Sequence, residues 1–227
     1  MIYIKDEAIV LKSQPVLDSD LSITVYLKKL GKENIFIKGG QRIKHPYLPV
    51  LQRSNWIRGV FLQYKDKLLI KEVDKSYNFA ATYSKDLNLF YTWNWIVDIF
   101  DRYTTFPDEK MFNLLKKTLY HLKATSDVEI YKLRFLLRYI YLQGLFPQIG
   151  RCVKCGTPIT KENFGSFSFK DGGTICKACS RKKGSDLEYR DLRFVLDVLK
   201  GKGKKGENVS PKLLTEVFKN YLQTSLR

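Results

Sequence analysis

The sequence has few of the side chains on which enzymes most often rely for proton transfer. Of its 227 residues only two are histidines, His45 and His121. None of the GxxxxGK[ST], HExxH or GxSxG patterns of nucleotide-binding and hydrolytic enzymes occurs in it. The acidic residues are scattered, without the paired spacing of a metal nuclease. We therefore expect a protein that is not an enzyme.

Long hydrophobic runs are also missing. No stretch of about 18 uncharged apolar residues is present, so we expect no membrane span. The first residues, MIYIKDEAIVLKS, carry charges early and have no apolar segment followed by a small-residue cleavage site, so we expect no signal peptide. Both observations predict a cytoplasmic protein that makes no contact with a membrane.

Acidic side chains are in the minority, which gives the sequence its strongest global feature. There are 23 acidic and 40 basic residues, for a formal net charge of +17. Residues 1–80 carry 14 basic and 8 acidic side chains, and residues 148–185 carry 8 and 2. An excess of this kind indicates a polyanionic partner, most often nucleic acid. The alternative is a basic protein from a lysine-rich proteome that binds no polyanion.

The first third of the chain has the pattern of β-strands. In LSITVYL, apolar residues alternate with Ser22, Thr24 and Tyr26, which is the period of a half-buried strand. Four further short strands are predicted around it, in EAIVLKS, NIFIKGG, NWIRGVFLQY and LLIKEV. Five strands in so short a segment predict a small barrel of the OB type over residues 1–78.

The remainder of the chain has helical periodicity, interrupted once. Apolar stripes run through residues 79–147 and include Trp93, Val97 and Phe100. Two more helices are predicted in residues 186–227, the second beginning with Ser210 as N-cap and Pro211 in the first turn. The predicted fold is therefore α+β: an N-terminal five-stranded OB-fold barrel (1–78), then an all-helical domain (79–147 and 186–227) with an inserted segment (148–185).

The inserted segment contains all four cysteines. Cys152, Cys155, Cys176 and Cys179 follow the spacing C-x2-C-x20-C-x2-C. Each CxxC turn places two thiolates on one side of a knuckle, and two knuckles complete a tetrahedral site of four sulfurs that suits Zn²⁺. Because such a site is closed, we expect one structural zinc ion. Disulfides, an iron–sulfur cluster and a thioredoxin-like redox motif are the alternatives.

A second candidate site is the stretch IFIKGGQRIKHPYLP. Lys38, Arg42 and Lys44 follow a predicted strand, while Gly39 and Gly40 let the backbone bend close to a partner. Cations next to aromatic side chains on an OB-like surface are typical of single-strand binding, and His45 and Tyr47 are present for stacking on bases. The alternative is a solvated loop whose lysines have no partner.

Other basic residues are candidates for contacts with phosphates. In the barrel these are Lys28, Lys29, Lys32, Arg53 and Arg58. In the cysteine segment they are Arg151, Lys154, Lys177, Arg181, Lys182 and Lys183. Phosphate contacts of this kind predict DNA binding that depends strongly on salt and weakly on base sequence.

The ordered set of motifs resembles the bacterial recombination mediator family RecO. EAIVLKSQPVLDSDLSITVYLKKLGK resembles the opening of that family, and KGGQRIK its basic loop. LRFLLRYIYLQGLFPQIGRCVKCG resembles the helix that leads into the first knuckle, and FSFKDGGTICKAC resembles the second half of the cysteine segment. The resemblance runs in order through most of the chain.

The resemblance implies an N-terminal OB-fold, a helical domain and, in many members, a cysteine zinc site. It implies binding of single- and double-stranded DNA and annealing of complementary strands without nucleotide hydrolysis. It also implies work with RecR and with the single-stranded DNA-binding protein in loading RecA, in the bacterial cytosol and on the nucleoid. Members recognise the acidic, hydrophobic tail of that binding protein, for which Arg134 and Arg138 are weak candidate contacts. The alternative is that these two arginines are surface charge or contact the end of a helix.

Two other functions remain open on the residues alone. An OB barrel combined with a zinc ribbon also suits an RNA-binding factor of translation or of the ribosome. A nuclease with its site among the scattered acids is the second. The expected function is a non-enzymatic DNA-binding mediator of recombinational repair.

Overall fold

The computed structural model of the protein describes residues 1–181, 186–204 and 209–226. It has the predicted α+β architecture, with five strands followed by helices and a two-stranded hairpin. The strands are β1 (Ile2–Val16), β2 (Asp20–Leu27), β3 (Gly31–Ile37), β4 (Trp56–Tyr64), β5 (Lys67–Tyr77), β6 (Phe164–Ser168) and β7 (Gly173–Cys176). The helices are α1 (Phe79–Tyr83), α2 (Leu87–Tyr103), α3 (Glu109–His121), α4 (Val128–Leu142), α5 (Tyr189–Leu199) and α6 (Pro211–Ser225), with a 3₁₀ turn at Leu122–Ala124.

The chain divides into two compact units, Met1–Val128 (unit 1) and Glu129–Arg227 (unit 2). Unit 1 holds strands β1–β5 and helices α1–α3, and unit 2 holds α4 except for its first residue, the β6–β7 hairpin and the last two helices. The domain boundaries predicted after residues 78, 147 and 185 follow composition rather than packing, and they remain a prediction.

The five N-terminal strands form one antiparallel sheet in the order β3-β2-β1-β4-β5. Its edge strands β3 and β5 also contact each other, which closes the sheet into a barrel with the strand arrangement of the OB fold. The alternation predicted for β2 is confirmed, because Leu21, Ile23, Val25 and Leu27 all lie in the barrel core. Core residues from all five strands surround them.

The outer face of β2 is buried as well at one end, which the alternation alone does not predict. Tyr26 is fully buried against helices α2 and α3, with Phe100 in edge contact at 4.9 Å and Phe112 stacked at 6.4 Å. Its hydroxyl donates to the carbonyl of Phe106 at 2.8 Å and accepts from the backbone N–H of Asp108 at 3.0 Å. The polar tip of this side chain is thus satisfied where the chain enters α3, and β2 is joined to both helices.

The turn from β2 to β3 lies against the same helices. Gly31 has φ +79°, and a Cβ there would lie 2.6 Å from the backbone nitrogen of Pro107, so only glycine fits the turn. The next residue, Lys32, donates its backbone N–H to the carbonyl of Thr105 at 3.0 Å.

Side-chain caps define where the long helices of unit 1 begin. Asp86 accepts from the backbone N–H groups of Asn88 and Leu89, and Asp108 accepts from those of Lys110 and Met111. A carboxylate in this position satisfies free N–H groups and interacts favourably with the helix dipole. The predicted stripe of α2 is largely buried, although Phe90 lies at its edge, 37% exposed.

In unit 2 the hairpin packs on the last helix through aromatic rings. Phe169, which follows β6, stacks on Tyr221 at 4.4 Å and meets Phe218 edge-on at 5.3 Å. The hydroxyl of Tyr221 donates to the carbonyl of Leu145 at 2.6 Å. Helix α6 begins as predicted, with the Ser210 hydroxyl accepting from the N–H of Leu213 and Pro211 in the first turn. None of the helices in the described parts of the chain has the length and hydropathy needed to cross a membrane.

A half-buried ion pair fastens β1 to α3. The Glu7 carboxylate pairs with the Lys116 ammonium and accepts from the indole N–H of Trp56 at 2.8 Å, while Lys116 lies over the Trp56 ring at 4.2 Å. Burial acts to raise the pKa of Glu7, but the hydrogen bonds from Lys116 and Trp56 outweigh it and hold that pKa below its ordinary value of 4.5.

We predict that Glu7→Gln destabilises unit 1 by about 1 kcal/mol at neutral pH, since it leaves Lys116 without its partner. Because the folded protein lowers the pKa of Glu7, its contribution is present above 4.5 and is lost as the pH falls through the lower, folded value. The difference between variant and wild type should therefore shrink at acidic pH. Urea unfolding followed by tryptophan fluorescence measures it, because Trp56, Trp93 and Trp95 all lie in unit 1.

The matched control is Glu72→Gln, which removes a carboxylate from an exposed position on β5. This variant should leave the unfolding midpoint within error of the wild type. Equal losses in the two variants, or a Glu7→Gln loss that is the same at pH 7 and at acidic pH, would contradict the prediction.

Candidate metal centre and nucleic-acid interface

The four cysteines of unit 2 converge on one point. Their Sγ atoms all lie within 4.8 Å of one another, and those of Cys155 and Cys176 are 3.7 Å apart. Four sulfurs around one tetrahedral Zn²⁺ at about 2.3 Å are separated by about 3.8 Å. The predicted ligand set is therefore brought together with a spacing that one metal ion fits. All four are free thiols.

The backbone of each knuckle is built for thiolates. Cys152 Sγ accepts the N–H of Lys154 at 3.4 Å and that of Cys176 at 3.5 Å, so the two knuckles share one sulfur as acceptor. Gly156 closes the first knuckle with φ +73° and an N–H donated to the carbonyl of Cys152 at 2.9 Å. The second knuckle is closed by the backbone N–H groups of Cys179 and Ser180, which both donate to the carbonyl of Cys176.

Hydrogen bonds shift the pKa values of the clustered cysteines in opposite directions. Burial acts to raise the pKa of Cys152, but backbone N–H groups, that of Cys176 foremost, lower it to about 6. The neighbouring thiols of Cys155 and Cys176 raise the pKa of Cys179 to about 12. Four thiolates at this separation require a cation among them. The donor set is soft and closed, which suits a structural divalent ion and leaves no position for a substrate.

The basic loop in unit 1, residues 38–44, is held in a fixed conformation. Asp20 accepts the N–H of Gly39 at 2.7 Å through its carboxylate, and its carbonyl accepts from the Gln41 side chain at 2.6 Å. Gly39 has φ +67°, and Arg42 donates its N–H back to the carbonyl of Gly39 at 3.0 Å. On this frame the side chains of Lys38, Arg42 and Lys44 are exposed.

The aromatic residues after this loop have different roles. The Tyr47 hydroxyl donates to the carbonyl of Lys71 at 3.0 Å, and its ring packs against the barrel core. His45 meets that ring edge-on at 5.7 Å. Tyr47 therefore anchors the end of the loop to β5.

Most of the other barrel cations are already paired. Lys28 lies 2.8 Å from Glu109, Lys32 lies 2.7 Å from Asp101, and Arg53 pairs with Asp98. The partners belong to α2 and to the first turn of α3, so these pairs lie along the contact between barrel and helices. Arg58 lies 4.0 Å from Asp74, and the Lys29 ammonium donates to the carbonyl of Lys5 at 2.8 Å.

The predicted phosphate contacts of the barrel therefore fall into two groups. Lys28, Lys32, Arg53 and Arg58 face a carboxylate of unit 1. Lys38, Arg42 and Lys44 form no ion pair with any residue that the structure describes. A cation that is already neutralised releases fewer counterions from DNA, so the second group is the stronger set of candidates for contacts with phosphates.

The basic residues around the metal centre are also accessible. Arg151, Lys154, Lys177 and Arg181 are exposed, and Arg151 donates to the carbonyl of Gly156 at 3.1 Å. Lys182 and Lys183 lie outside the described residues. Lys154 and Arg181 line a polar cleft of about 500 Å³ next to the hairpin, together with Lys170 and two aspartates.

Two arginines of α4 lie one turn apart without a carboxylate partner among the residues described. Arg134 is half-buried next to Gly201, where a Cβ would lie 2.5 Å from its guanidinium. Arg138 is exposed. Partial burial of its guanidinium, together with the charge of Arg134, lowers the pKa of Arg138. Burial also raises the pKa of Tyr131, beside them, to about 12. Positive charge is therefore concentrated here, and no ion pair within the described ranges neutralises it.

The residues that the sequence reasoning missed are mostly acidic. Asp98, Asp101 and Glu109 decide which cations are available, and Asp20 orders the basic loop. Each acid lies far in sequence from the cation it neutralises, so no local pattern reveals the pairs. An apolar residue within the basic loop, Ile43, was also missed, although it stands between two cations.

Comparisons with known proteins agree with this arrangement. The family model described as Recombination protein O N terminal matches residues 1–67, and the one described as Recombination protein O C terminal matches residues 103–219. A DNA repair protein RecO from Caldanaerobacter subterraneus subsp. tengcongensis is 27% identical over 241 residues, covering 100% of this chain and 96% of the relative. A DNA repair protein RecO from Caldicellulosiruptor bescii is 27% identical, and the match covers 92% of this chain and 86% of the relative. One from Bacillus pumilus is 26% identical, and the match covers 79% of this chain and 69% of the relative.

We predict that the purified protein holds one equivalent of a divalent metal and that its four thiols react with a thiol reagent only after chelation. Cys179→Ser should lose most of the metal, because it removes one of four ligands. Metal analysis together with thiol titration measures both. The neighbouring variant Ser180→Ala is the control and should keep its full equivalent of metal. Fully reactive thiols in metal-free protein as isolated would contradict the prediction.

Proposed function

Because the chain belongs to the RecO family of recombination proteins, we propose that it acts as a non-enzymatic mediator of strand pairing. Family membership gives it a role in DNA repair and recombination. Within that role it binds single- and double-stranded DNA, anneals complementary strands and, together with RecR, helps to load RecA onto single-stranded DNA. It would act in the bacterial cytosol, on the nucleoid.

One observation supports DNA binding most directly. The barrel pairs several of its cations with carboxylates of its own helices but leaves Lys38, Arg42 and Lys44 exposed on a hydrogen-bonded loop. OB folds bind single strands with a positively charged groove along the phosphates. Because the loop backbone is already ordered, binding costs little conformational entropy at that point.

The remaining parts have supporting roles in this proposal. The metal, which we infer to be Zn²⁺, holds the hairpin and its exposed cations, Arg151, Lys154, Lys177 and Arg181, for secondary contacts with phosphates. No step of catalysis passes through it. The family match favours this DNA role over an RNA-binding factor of translation.

Annealing follows from the same charges. Two complementary strands repel each other through their phosphates, and a protein with a large positive charge lowers this repulsion when it binds both. Contacts with phosphates leave the base edges free to pair. No hydrolysis of nucleotide is needed for this reaction, which agrees with the lack of a nucleotide-binding motif in the sequence.

We predict that the triple variant Lys38→Gln, Arg42→Gln, Lys44→Gln binds an oligothymidine at least about tenfold more weakly at moderate salt. The slope of log K against log salt should fall by about 2, since each phosphate contact with a single strand contributes about 0.7 to it. Fluorescence anisotropy over a series of salt concentrations measures both quantities.

The matched control is Lys65→Gln, Lys67→Gln, Lys71→Gln, which removes the same charge from exposed positions of the β4–β5 turn and of strand β5 in the same barrel. It should change the slope by less than half as much. Equal losses in the two triple variants would mean that only the total charge matters, and would remove the loop from the mechanism.

The arginine pair of α4 is our candidate contact for the acidic, hydrophobic tail of the single-stranded DNA-binding protein. Two guanidinium groups that have no carboxylate partner in the part of the chain that the structure describes match the carboxylates of such a tail, and each has the fork of N–H donors for bidentate pairing. The half-buried position of Arg134 lowers the entropy lost on pairing.

We predict that Arg134→Gln, Arg138→Gln binds a peptide with an acidic, hydrophobic C-terminus at least about tenfold more weakly, as expected for the loss of charge-assisted hydrogen bonds. The control Arg193→Gln, Lys212→Gln makes the same charge change at exposed positions of α5 and α6. Anisotropy of a labelled peptide measures the affinity. An unchanged affinity in the α4 variant would place the tail elsewhere.

A further inference from the structure

Ile43 is the most exposed of the large hydrophobic side chains described, at 96% of its accessible surface. A single exposed apolar residue is ordinary on a protein surface and has no meaning by itself. The position of Ile43 makes its exposure informative, because Ile43 stands between Arg42 and Lys44 in the basic loop. The sequence of side chains at this point is cation, alkyl group, cation.

The backbone presents Ile43 at the tip of a tight turn. His45 donates its N–H to the carbonyl of Arg42 at 2.8 Å, so Ile43 and Lys44 occupy the two central positions of the turn. The preceding turn is closed by the bond from Arg42 to Gly39. Turn centres usually hold Gly, Pro, Asn, Asp or Ser, and a β-branched apolar residue in water breaks that local rule. Such departures are expected at functional sites.

The neighbouring turn, between β1 and β2, has a second apolar tip. Leu17 is 83% exposed and has φ +54°, which is uncommon for a leucine. The two turns are joined by Gln41, whose N–H donates to the carbonyl of Ser19 at 2.9 Å and whose side chain donates to the carbonyl of Asp20 at 2.6 Å. The rim of the barrel that carries the basic loop is therefore one hydrogen-bonded surface with apolar tips.

We propose that Ile43 contacts the bases of a bound DNA strand and separates one base from its neighbour, while Arg42 and Lys44 hold the flanking phosphates. The proposal rests on the DNA-binding role of the loop. A strand presents phosphate, base and phosphate in turn, which the order of cation, alkyl group and cation matches. Aliphatic side chains that enter base steps are a recurring device for unstacking bases. Ile43 would be a positioning residue for annealing.

This role has a consequence for the reaction. A strand held through its phosphates alone has its base edges free, but stacking on the neighbouring bases restricts how far each base turns toward a second strand. A base separated from its neighbour at the loop presents its pairing edge to a second strand. Ile43 should therefore affect the rate of annealing more than it affects affinity.

The experiment compares Ile43→Ser with wild type on a single strand that carries one 2-aminopurine, whose fluorescence rises when it is unstacked. We expect wild type to raise the fluorescence and the variant to lose more than half of that rise. Annealing by the variant should be about five times slower, on the basis that burial of an alkyl side chain is partial at such a contact. The slope of log K against log salt should not change, because no phosphate contact is removed. Ile43→Leu should restore most of both signals.

Leu87→Ser is the matched control, since Leu87 is 70% exposed at the start of α2 and has no cation beside it. It should behave as wild type in both assays. If Ile43→Ser equals wild type in fluorescence and annealing while the loop triple variant loses affinity, the inference is wrong and the DNA-binding role of the loop stands. If the triple variant also binds normally, the proposed function of the loop fails first.

A membrane surface is the other partner to which a basic loop with an apolar tip could be suited. Flotation with vesicles of phosphatidylcholine and phosphatidylglycerol separates the two cases. Binding to these vesicles that depends on Ile43, together with normal 2-aminopurine and annealing signals in Ile43→Ser, would overturn the inference. Absence of any fluorescence rise with wild type would overturn it as well.

Discussion

Tyr26 joins β2 of the barrel to helices α2 and α3, and the distribution of free charge in unit 1 depends on this contact. Its ring fills the space between Phe100 and Phe112, and its hydroxyl fixes the backbone at Phe106 and Asp108. With the helices held in place, their carboxylates lie next to the cations of the barrel surface. Lys28, Lys32 and Arg53 are neutralised in this way. The loop at residues 38–44 lies apart from these ion pairs, so its charge remains available for a partner.

In unit 2, the short β6–β7 hairpin has only a small hydrophobic cluster around the cysteines to stabilise it. Around the cysteines, in the described part of the segment, the buried cluster consists of Cys152, Ile175 and Cys176, with Val153, Ile159 and Cys179 partly buried against it. A divalent ion held by the four cysteines, as we propose, would stabilise the hairpin from one side, and the contacts of Phe169, stacked on Tyr221 and edge-on to Phe218, stabilise it from the other. In the function that we propose, the sulfurs have a structural role and the contacts with DNA are assigned to the cations around them.

Local patterns in the sequence were sufficient for the features that depend on local physics. The alternation of Leu21, Ile23, Val25 and Leu27 predicted the inner face of β2, the cap at Ser210 predicted the start of α6, and the cysteine spacing predicted the ligand set. The burial of Tyr26 and the pairing of Lys32 with Asp101 depend on residues about 70 to 80 positions apart. A pattern of neighbours contains no such information, so paired and free cations look the same in the sequence.

The net charge of +17 therefore overstates the charge that can act on DNA. A lysine that already faces a carboxylate must give up that partner before it gains from a phosphate, whereas Lys38 or Arg42 gains at once. The slope of the salt dependence reflects mainly the cations that had no carboxylate partner before they met a phosphate. It follows that two members of one family with equal net charge can differ in affinity for DNA through their acidic residues alone. In this chain, Asp98, Asp101 and Glu109 each neutralise one cation of the barrel surface, so under the proposed function they restrict where a strand can be held as much as the basic loop does.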